Sequence, residues 1–257
     1  MAAPIQEKKE PIPKIERLDG QDLDAVKAQL SFENVVGYSK PGIKWVEDTT
    51  PIRAEQIKNK ELALCVVKED GEVVASTEIV LKSGTKGKII EDNEAWASGT
   101  LIREDKRGIG KFLAAEQERI AKEAGKDVMR TAIWLDNFAS SRMRLREGFR
   151  LDDCYPDKDR PDAHFRKNLE NPPSKKMNLA EERQAGRLPI VTEVNDSSTE
   201  RFLIHYSQAN LIKQAIDHGH KGIFLLIPKD VPEDTEIKGN NDNYYVFVKA
   251  ETLSEKQ

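Results

Sequence analysis

The segment whose residues point most clearly to a chemical role lies in the first half of the chain. Residues 100–110 read TLIREDKRGIG, and apolar residues recur on one helical face over 108–124. This pattern predicts a strand, a tight glycine turn and a helix. The first amides of such a helix point at one spot, where the helix dipole adds positive charge, so the turn suits a pyrophosphate or similar anion. Lys106, Arg107 and Lys111 add cations around the turn.

Two better-defined phosphate motifs do not fit this turn. The dinucleotide-binding fingerprint needs a third glycine, and Leu113 stands at that position. The P-loop needs a longer spacer and then Lys followed by Ser or Thr, whereas Phe112 follows Lys111. Taken alone, the turn also fits an ordinary glycine turn before a core helix.

A second segment follows an apolar strand predicted over 129–135. Residues 137–149 read NFASSRMRLREGF, which predicts a helix from about Phe138 to Glu147, closed by Gly148. Together the two segments resemble the GNAT superfamily of N-acetyltransferases. The DKRGIG sequence at 105–110 is similar to its Arg/Gln-x-x-Gly-x-Gly/Ala signature, and 137–149 is similar to its Asn-x-x-Ala-x-x-Leu-Tyr-x-x-x-Gly-Phe signature. The order of predicted elements is also that of the family: strand, two helices, hairpin, strand, helix, strand, helix, last strand.

The resemblance implies an α+β fold with a mixed central sheet flanked by helices, the acyl-CoA N-acyltransferase fold. It also implies acetyl-CoA as co-substrate, with no metal, and transfer of an acetyl group to a primary amine of a small molecule or protein. The cofactor-binding residues it implies are Ser98, Gly99, Thr100, Leu101, Ile102, Lys106, Arg107, Gly108, Ile109, Gly110, Lys111, Asn137, Ser140 and Arg144.

Several positions depart from the family pattern, and three of them bear on the chemistry. Asp105 replaces Arg or Gln, Ser140 replaces Ala, and Arg144 replaces Tyr. In many members that tyrosine protonates the departing thiolate of coenzyme A, whereas arginine stays protonated and cannot supply a proton. Arg144 could instead stabilise the thiolate as a charge. The alternative function is therefore a catalytically weak acyl-CoA-binding module whose C-terminal appendage recognises a partner.

The resemblance also requires a base for the amine and donors for the oxyanion. Glu94 begins the predicted strand 94–102, and its register resembles that of the catalytic glutamate of histone-type acetyltransferases. By strand alternation it shares a face with Trp96, Ser98 and Thr100. Backbone amides around 98–102 would stabilise the oxyanion. A solvated glutamate at a strand end is the other interpretation of Glu94, and Glu78 on the preceding strand is the alternative base.

Composition limits the possible partners. The chain has 257 residues with 41 Lys+Arg and 45 Asp+Glu, a formal net charge of −4. This balance argues against a nucleic-acid partner and favours a cationic amine acceptor, whose identity stays open. No apolar run approaches the length of a membrane helix, and residues 1–14 lack a signal-peptide core, so we expect a cytoplasmic protein with no membrane partner. A homodimer is possible.

The pattern along the chain divides it into four parts. We expect a disordered tail at 1–13, an N-acetyltransferase domain at 14–170, a charged linker at 171–187 and a small C-terminal βαββ domain at 188–257. In that last part we expect a strand over 188–194, a helix from a capping box at 197–200 to His218, and strands at 222–227 and 244–248. His218 and His220 lack a third spaced ligand, which favours a solvated helix end over a metal site.

Overall fold

The computed structural model describes residues 12–37, 49–106, 108–157, 159–170, 185, 188–195, 200–227 and 242–250. Most of the predicted tail and most of the predicted linker lie outside these residues. Contacts divide the chain into two compact units, residues 1–125 and 126–257. No helix in the described ranges has the length and apolar character that a membrane crossing requires.

The first unit is an antiparallel sheet with strand order β1-β2-β3-β4 and three helices. Its elements are β1 (Ile15–Arg17), α1 (Leu23–Gly37), α2 (Thr50–Lys58), β2 (Leu62–Glu69), β3 (Glu72–Val80), β4 (Glu94–Ile102) and α3 (Gly110–Glu123), with a single turn of 3-10 helix at Thr85–Gly87 between β3 and β4.

Local sequence accounts for most of these boundaries. The Asp22 carboxylate accepts a hydrogen bond from the Ala25 amide at 2.9 Å and so caps α1. Asp70 and Gly71 both take positive φ, 50° and 84°, and close the β2–β3 hairpin. Helix α1 packs on one face of β3 and β4, and α3 packs on the same two strands through Leu113. The packing of α1 and α3 therefore holds β3 and β4 in place, and these two strands carry the candidate site.

The second unit is a sheet with strand order β5-β7-β6-β9-β10-β8, again antiparallel throughout, and two helices with described bounds. Its elements are β5 (Val128–Trp134), α4 (Phe138–Arg146), β6 (Arg150–Tyr155), β7 (Asp162–Asn168), β8 (Arg201–His205), α5 (Ala209–Asp217), β9 (His220–Leu226) and β10 (Tyr244–Lys249). The last strand expected for residues 14–170 is β7, and β6 is an additional strand that was not predicted.

The prediction for residues 188–218 was wrong in two respects. The segment 201–205 is strand β8, paired with β10, and the helix begins only at Ala209. Phe202, Leu203 and Ile204 are consecutive and all buried, which a strand inside a sheet accommodates but an amphipathic helix does not. Residues 188–194 make only an isolated bridge, Ile190 to Leu203. Of the predicted capping box, residues 197–199 lie outside the described residues.

The C-terminal strands pack within the same compact unit as residues 126–170. Gly222 of β9 pairs with Leu151 of β6, and a Cβ on Gly222 would lie 2.7 Å from the Leu151 Cβ. The glycine therefore permits this close approach. The Tyr245 hydroxyl lies 3.2 Å from Ser141 Oγ on α4. The division into domains at 14–170 and 188–257 stays a prediction.

Candidate active site

The glycine turn before α3 has the conformation that an anion site needs. Gly108 takes φ +87°, in the region that favours glycine, and α3 begins at Gly110. Ile109 precedes the helix with helical backbone angles, and its own side chain makes no capping hydrogen bond. The first amides of α3 have no acceptor within the helix, so they are suited to a bound anion. Arg107 lies outside the described residues.

The cations around this turn are engaged with neighbouring groups. Lys106 Nζ lies 2.5 Å from a carboxylate oxygen of Glu69 and 3.8 Å from one of Asp105. The hydrogen bond to Glu69 raises the pKa of Lys106, so the amine stays charged. Lys111 Nζ lies 4.9 Å from the centroid of the Phe112 ring. An incoming anion would therefore compete with Glu69 for Lys106.

A bulge interrupts the pairing of β4 with β3. Glu78 pairs with Ser98 and Ser76 pairs with Leu101, so Gly99 and Thr100 together face the single residue Thr77. Gly99 takes φ +56°. This bulge lies within the strand segment 98–102, where the resemblance places the oxyanion donors.

The bulge corrects one prediction about side-chain direction. Thr100 Oγ1 lies 2.7 Å from Thr77 Oγ1, and Thr77 is the sequence neighbour of Glu78 on an alternating strand. Thr100 therefore lies on the face opposite to Glu78 and Ser98. The extra residue shifts the alternation, so Thr100 does not share the face of Glu94, Trp96 and Ser98 as expected.

Gln117 of α3 holds the backbone at the bulge. Its Nε2 donates to the carbonyl oxygen of Glu78 at 2.8 Å and to that of Ser98 at 3.4 Å. Gln117 was not among the predicted site residues. Its position in the sequence could have indicated this role, because a polar residue on the apolar face of α3 needs a buried hydrogen-bond partner.

Glu94 is buried, which contradicts the interpretation of a solvated strand end. Its residue exposure is 2%, and its Oε2 accepts a hydrogen bond from the Glu91 amide at 3.3 Å. The carboxylate thus stabilises the turn that leads into β4. Its role as general base stays a prediction.

Glu78 lies at the centre of a buried ionic cluster between β3, α1 and α2. Its exposure is also 2%, its Oε1 accepts from Lys86 Nζ, and its Oε2 lies 3.9 Å from Arg53 NH1. Arg53 NH1 itself donates to Glu33 at 2.6 Å and to Gln29 at 3.0 Å. Among the described residues, Glu78 Oε2 has no hydrogen-bond partner. The cluster was not predicted, since these residues are far apart in sequence.

The second motif forms the start of α4. Asn137 is the N-cap, and its side-chain oxygen accepts from the Ser140 amide at 3.4 Å. Asn137 is exposed and Ser140 is half-buried. The motif therefore folds as the sequence indicated, and a cofactor contact from either residue stays a prediction.

Arg144 occupies a buried position at the end of α4. Its exposure is 4%, and its NH1 lies 3.3 Å from Glu147 Oε2. Its guanidinium also lies 5.3 Å from the centroid of the Phe149 ring. Burial lowers the pKa of Arg144, but a guanidinium stays charged. Arg144, at the position of the family's tyrosine, is thus a buried and charged side chain. Its contact with the cofactor stays a prediction.

Other reactive groups in the described residues are not arranged for catalysis or metal binding. Burial raises the pKa of both thiols, Cys65 and Cys154, to about 12. Such thiols are poor nucleophiles. The described residues hold no group of three His, Cys, Asp or Glu side chains that could bind a metal ion.

Several solved structures are similar to this chain at low sequence identity. An N-acetyltransferase from Staphylococcus aureus Mu50 is 16% identical and matches with a TM-score of 0.48 over 61% of this chain and 99% of its own. A putative acetyltransferase from Salmonella typhimurium with its cofactor acetyl-CoA is 17% identical, with a TM-score of 0.47 over 61% and 94%. A ribosomal-protein-alanine N-acetyltransferase from Brucella melitensis is 20% identical, with a TM-score of 0.45 over 60% and 99%. No protein-family model and no curated protein matches the sequence.

The order of elements along the chain agrees, apart from the additional strand β6, with the order expected from the sequence. From β1 to β7 it runs strand, two helices, three strands, helix, strand, helix, two strands, with the glycine turn immediately before α3 and the Asn137 segment immediately before α4. This is the order of elements that the sequence resemblance to the GNAT superfamily of N-acetyltransferases implies. About 40% of the chain's residues lie outside the matched part, because the similar structures cover about 60%.

Proposed function

We propose that this protein is an acetyl-CoA-dependent N-acetyltransferase that acts on a primary amine. The observation that carries the proposal is the N-terminus of α3, where Gly108 has positive φ and the N-cap residue Ile109 supplies no capping side chain. In the GNAT fold this helix follows the strand along which the thioester is expected. The amides would bind the pyrophosphate of acetyl-CoA without an added side chain.

The proposed reaction is direct acyl transfer. The neutral amine nitrogen attacks the thioester carbonyl, a C–N bond forms, and the C–S bond then breaks to release the coenzyme A thiolate. Backbone amides at the β4 bulge, within 98–102, would stabilise the oxyanion. A buried carboxylate on the face of β3 and β4 covered by α1 would take the amine proton, and both Glu94 and Glu78 are candidates.

Arg144 would not supply a proton to the thiolate. Its guanidinium is buried against Glu147 and Phe149 and remains charged. We therefore propose that water delivers this proton. The thiolate of coenzyme A is a good leaving group compared with an alkoxide, so protonation need not accompany C–S cleavage.

The proposed acceptor is a primary amine of a small molecule or protein. The net charge of −4 supports a cationic amine, since long-range attraction raises the encounter rate. A first panel should contain polyamines, aminoglycosides and peptides with a free N-terminus.

Two measurements test the function. Isothermal titration calorimetry with acetyl-CoA should give saturable binding, and a thiol-release assay with the amine panel should give turnover above the rate without amine. Saturable binding with no turnover across the panel would favour the alternative, an acyl-CoA-binding module. Absence of acetyl-CoA binding by folded protein would contradict both functions.

A further inference from the structure

We propose that Glu78 of β3, rather than Glu94 of β4, accepts the proton from the acceptor amine. This inference rests on the proposed function and concerns the same site. The sequence favoured Glu94 because its register resembles that of a known family glutamate. The structure adds cross-strand pairing and hydrogen bonding that the sequence could not supply.

Distance along the sheet separates the two carboxylates. The proposed oxyanion donors begin at Ser98, which is four residues from Glu94, about 13 Å along a strand. Glu78 is the direct cross-strand partner of Ser98, and such partners have Cβ atoms about 4.5–5.5 Å apart. A general base has to reach the proton directly or through one water, so position favours Glu78.

Contact with the bulge places the Glu78 carboxylate against the backbone of β4. A Cβ built on Gly99 would lie 2.9 Å from Glu78 Oε1 and 2.9 Å from its Cγ. Only a residue without a side chain leaves room for this contact. The carboxylate therefore lies beside the peptide units that would stabilise the oxyanion.

Hydrogen bonding leaves one oxygen of Glu78 available. Lys86 binds Oε1, while Oε2 has no hydrogen-bond partner among the described residues and faces Arg53 NH1 at 3.9 Å. A buried carboxylate oxygen without a donor is rare because its desolvation is not compensated. A substrate amine at this oxygen would provide the missing donor. Glu94 Oε2, by contrast, already accepts from the Glu91 amide.

The proton balance of the step is simple. The protonated amine gives one proton to Glu78 Oε2, which leaves the nitrogen lone pair free to attack the thioester carbonyl of acetyl-CoA. The electron pair of the C–S bond leaves with sulfur, the nitrogen of the new amide loses its second proton to water, and water protonates the thiolate. Glu78 then returns its proton to solvent before the next turnover. Lys86 and Arg53 act as positioning residues that hold the carboxylate in place.

The test compares three isosteric variants of the full chain with the best amine of the panel. Glu78→Gln should lower kcat by about 10²–10⁴-fold, the usual contribution of general-base catalysis, with acetyl-CoA affinity unchanged. Glu94→Gln should lower kcat by less than Glu78→Gln. Glu61→Gln is the matched control, because Glu61 is also paired with a lysine, Lys82, and precedes β2. It should leave kcat unchanged.

A chemical-rescue experiment separates catalysis from structure. Added formate should restore part of the turnover of Glu78→Ala, because it supplies a small carboxylate to the space left by the side chain. It should not restore the turnover of Glu94→Ala. If Glu78→Gln and Glu78→Ala do not fold, Glu78→Asp keeps the charge but shortens the side chain, and kcat should fall at least tenfold.

Two results would overturn the assignment while leaving the proposed function intact. They are a folded Glu78→Gln enzyme with wild-type kcat, and a larger loss in Glu94→Gln than in Glu78→Gln. Absence of acetyl-CoA binding by the wild-type protein would instead overturn the proposed function, and this assignment with it.

Discussion

The starts of α3 and α4 carry the two motifs that predicted a cofactor site, and they satisfy their first amides in different ways. At α3 the chain enters through Gly108 with φ +87°, and the side chain of the N-cap residue Ile109 makes no capping hydrogen bond. At α4 the Asn137 side chain accepts from the Ser140 amide. Both ends follow an apolar strand, but only at α4 does the N-cap side chain accept a hydrogen bond from a helix amide.

This difference separates a binding role from a structural one. A helix start without a cap gains an acceptor when an anion binds, so ligand binding and helix stability are coupled there. A capped start already has its acceptor in the folded protein, so its residue contributes to stability without a ligand. Substitutions at the two ends should therefore change different measured quantities.

The largest effect is expected at Gly108. Gly108→Asp places a negative charge at the turn where pyrophosphate would bind, and we expect acetyl-CoA affinity to fall at least tenfold, about 1.4 kcal/mol. Isothermal titration calorimetry measures the change. Gly108→Asn is the matched control, because Asn has nearly the same size, tolerates positive φ and carries no charge. It should lose less affinity than Gly108→Asp, and equal losses would assign the effect to backbone strain alone.

A smaller effect, on stability rather than on affinity, is expected at Asn137. Asn137→Ala removes the cap, and we expect the free energy of unfolding to fall by about 0.5–1 kcal/mol. Asn137→Asp keeps a capping oxygen and should lose less. Urea denaturation measures both variants. A tenfold loss of acetyl-CoA affinity in Asn137→Ala with unchanged stability would place Asn137 in the cofactor site, as the family resemblance implies.

The sequence predicted the site motifs better than their surroundings because motifs depend on neighbouring residues. The glycine turn, α3 and the capped start of α4 follow from local patterns. The bulge that turns Thr100 to the opposite face depends on the register of β4 against β3, which no local pattern encodes. Glu78 could be named as a candidate base, but its pairing with Ser98 and its unpartnered oxygen could not be predicted.

The C-terminal region shows the same limit for secondary structure. The acidic and serine residues before Arg201 predicted a helix start, yet residues 201–205 form a strand because β10 provides its hydrogen bonds and its buried surroundings. Strand β6 escaped prediction since its sequence, RLDDCY, has two adjacent acids in the middle. Their carboxylates pair with lysines from other elements, Asp152 with Lys221 and Asp153 with Lys213. Tertiary pairing decided both segments.

The smallest effect is expected from Glu69, and it would sharpen the account of the α3 turn. Glu69 binds Lys106 at 2.5 Å beside the proposed anion site. Glu69→Gln removes a negative charge that competes with the ligand, so acetyl-CoA should bind about two- to threefold more tightly at low ionic strength. The gain should shrink as salt is added, because screening weakens exposed charge interactions. Glu61→Gln removes the same charge from the opposite end of β2, and it should leave the affinity unchanged. A loss of affinity in Glu69→Gln would mean that Glu69 positions Lys106 for the ligand rather than competing with it.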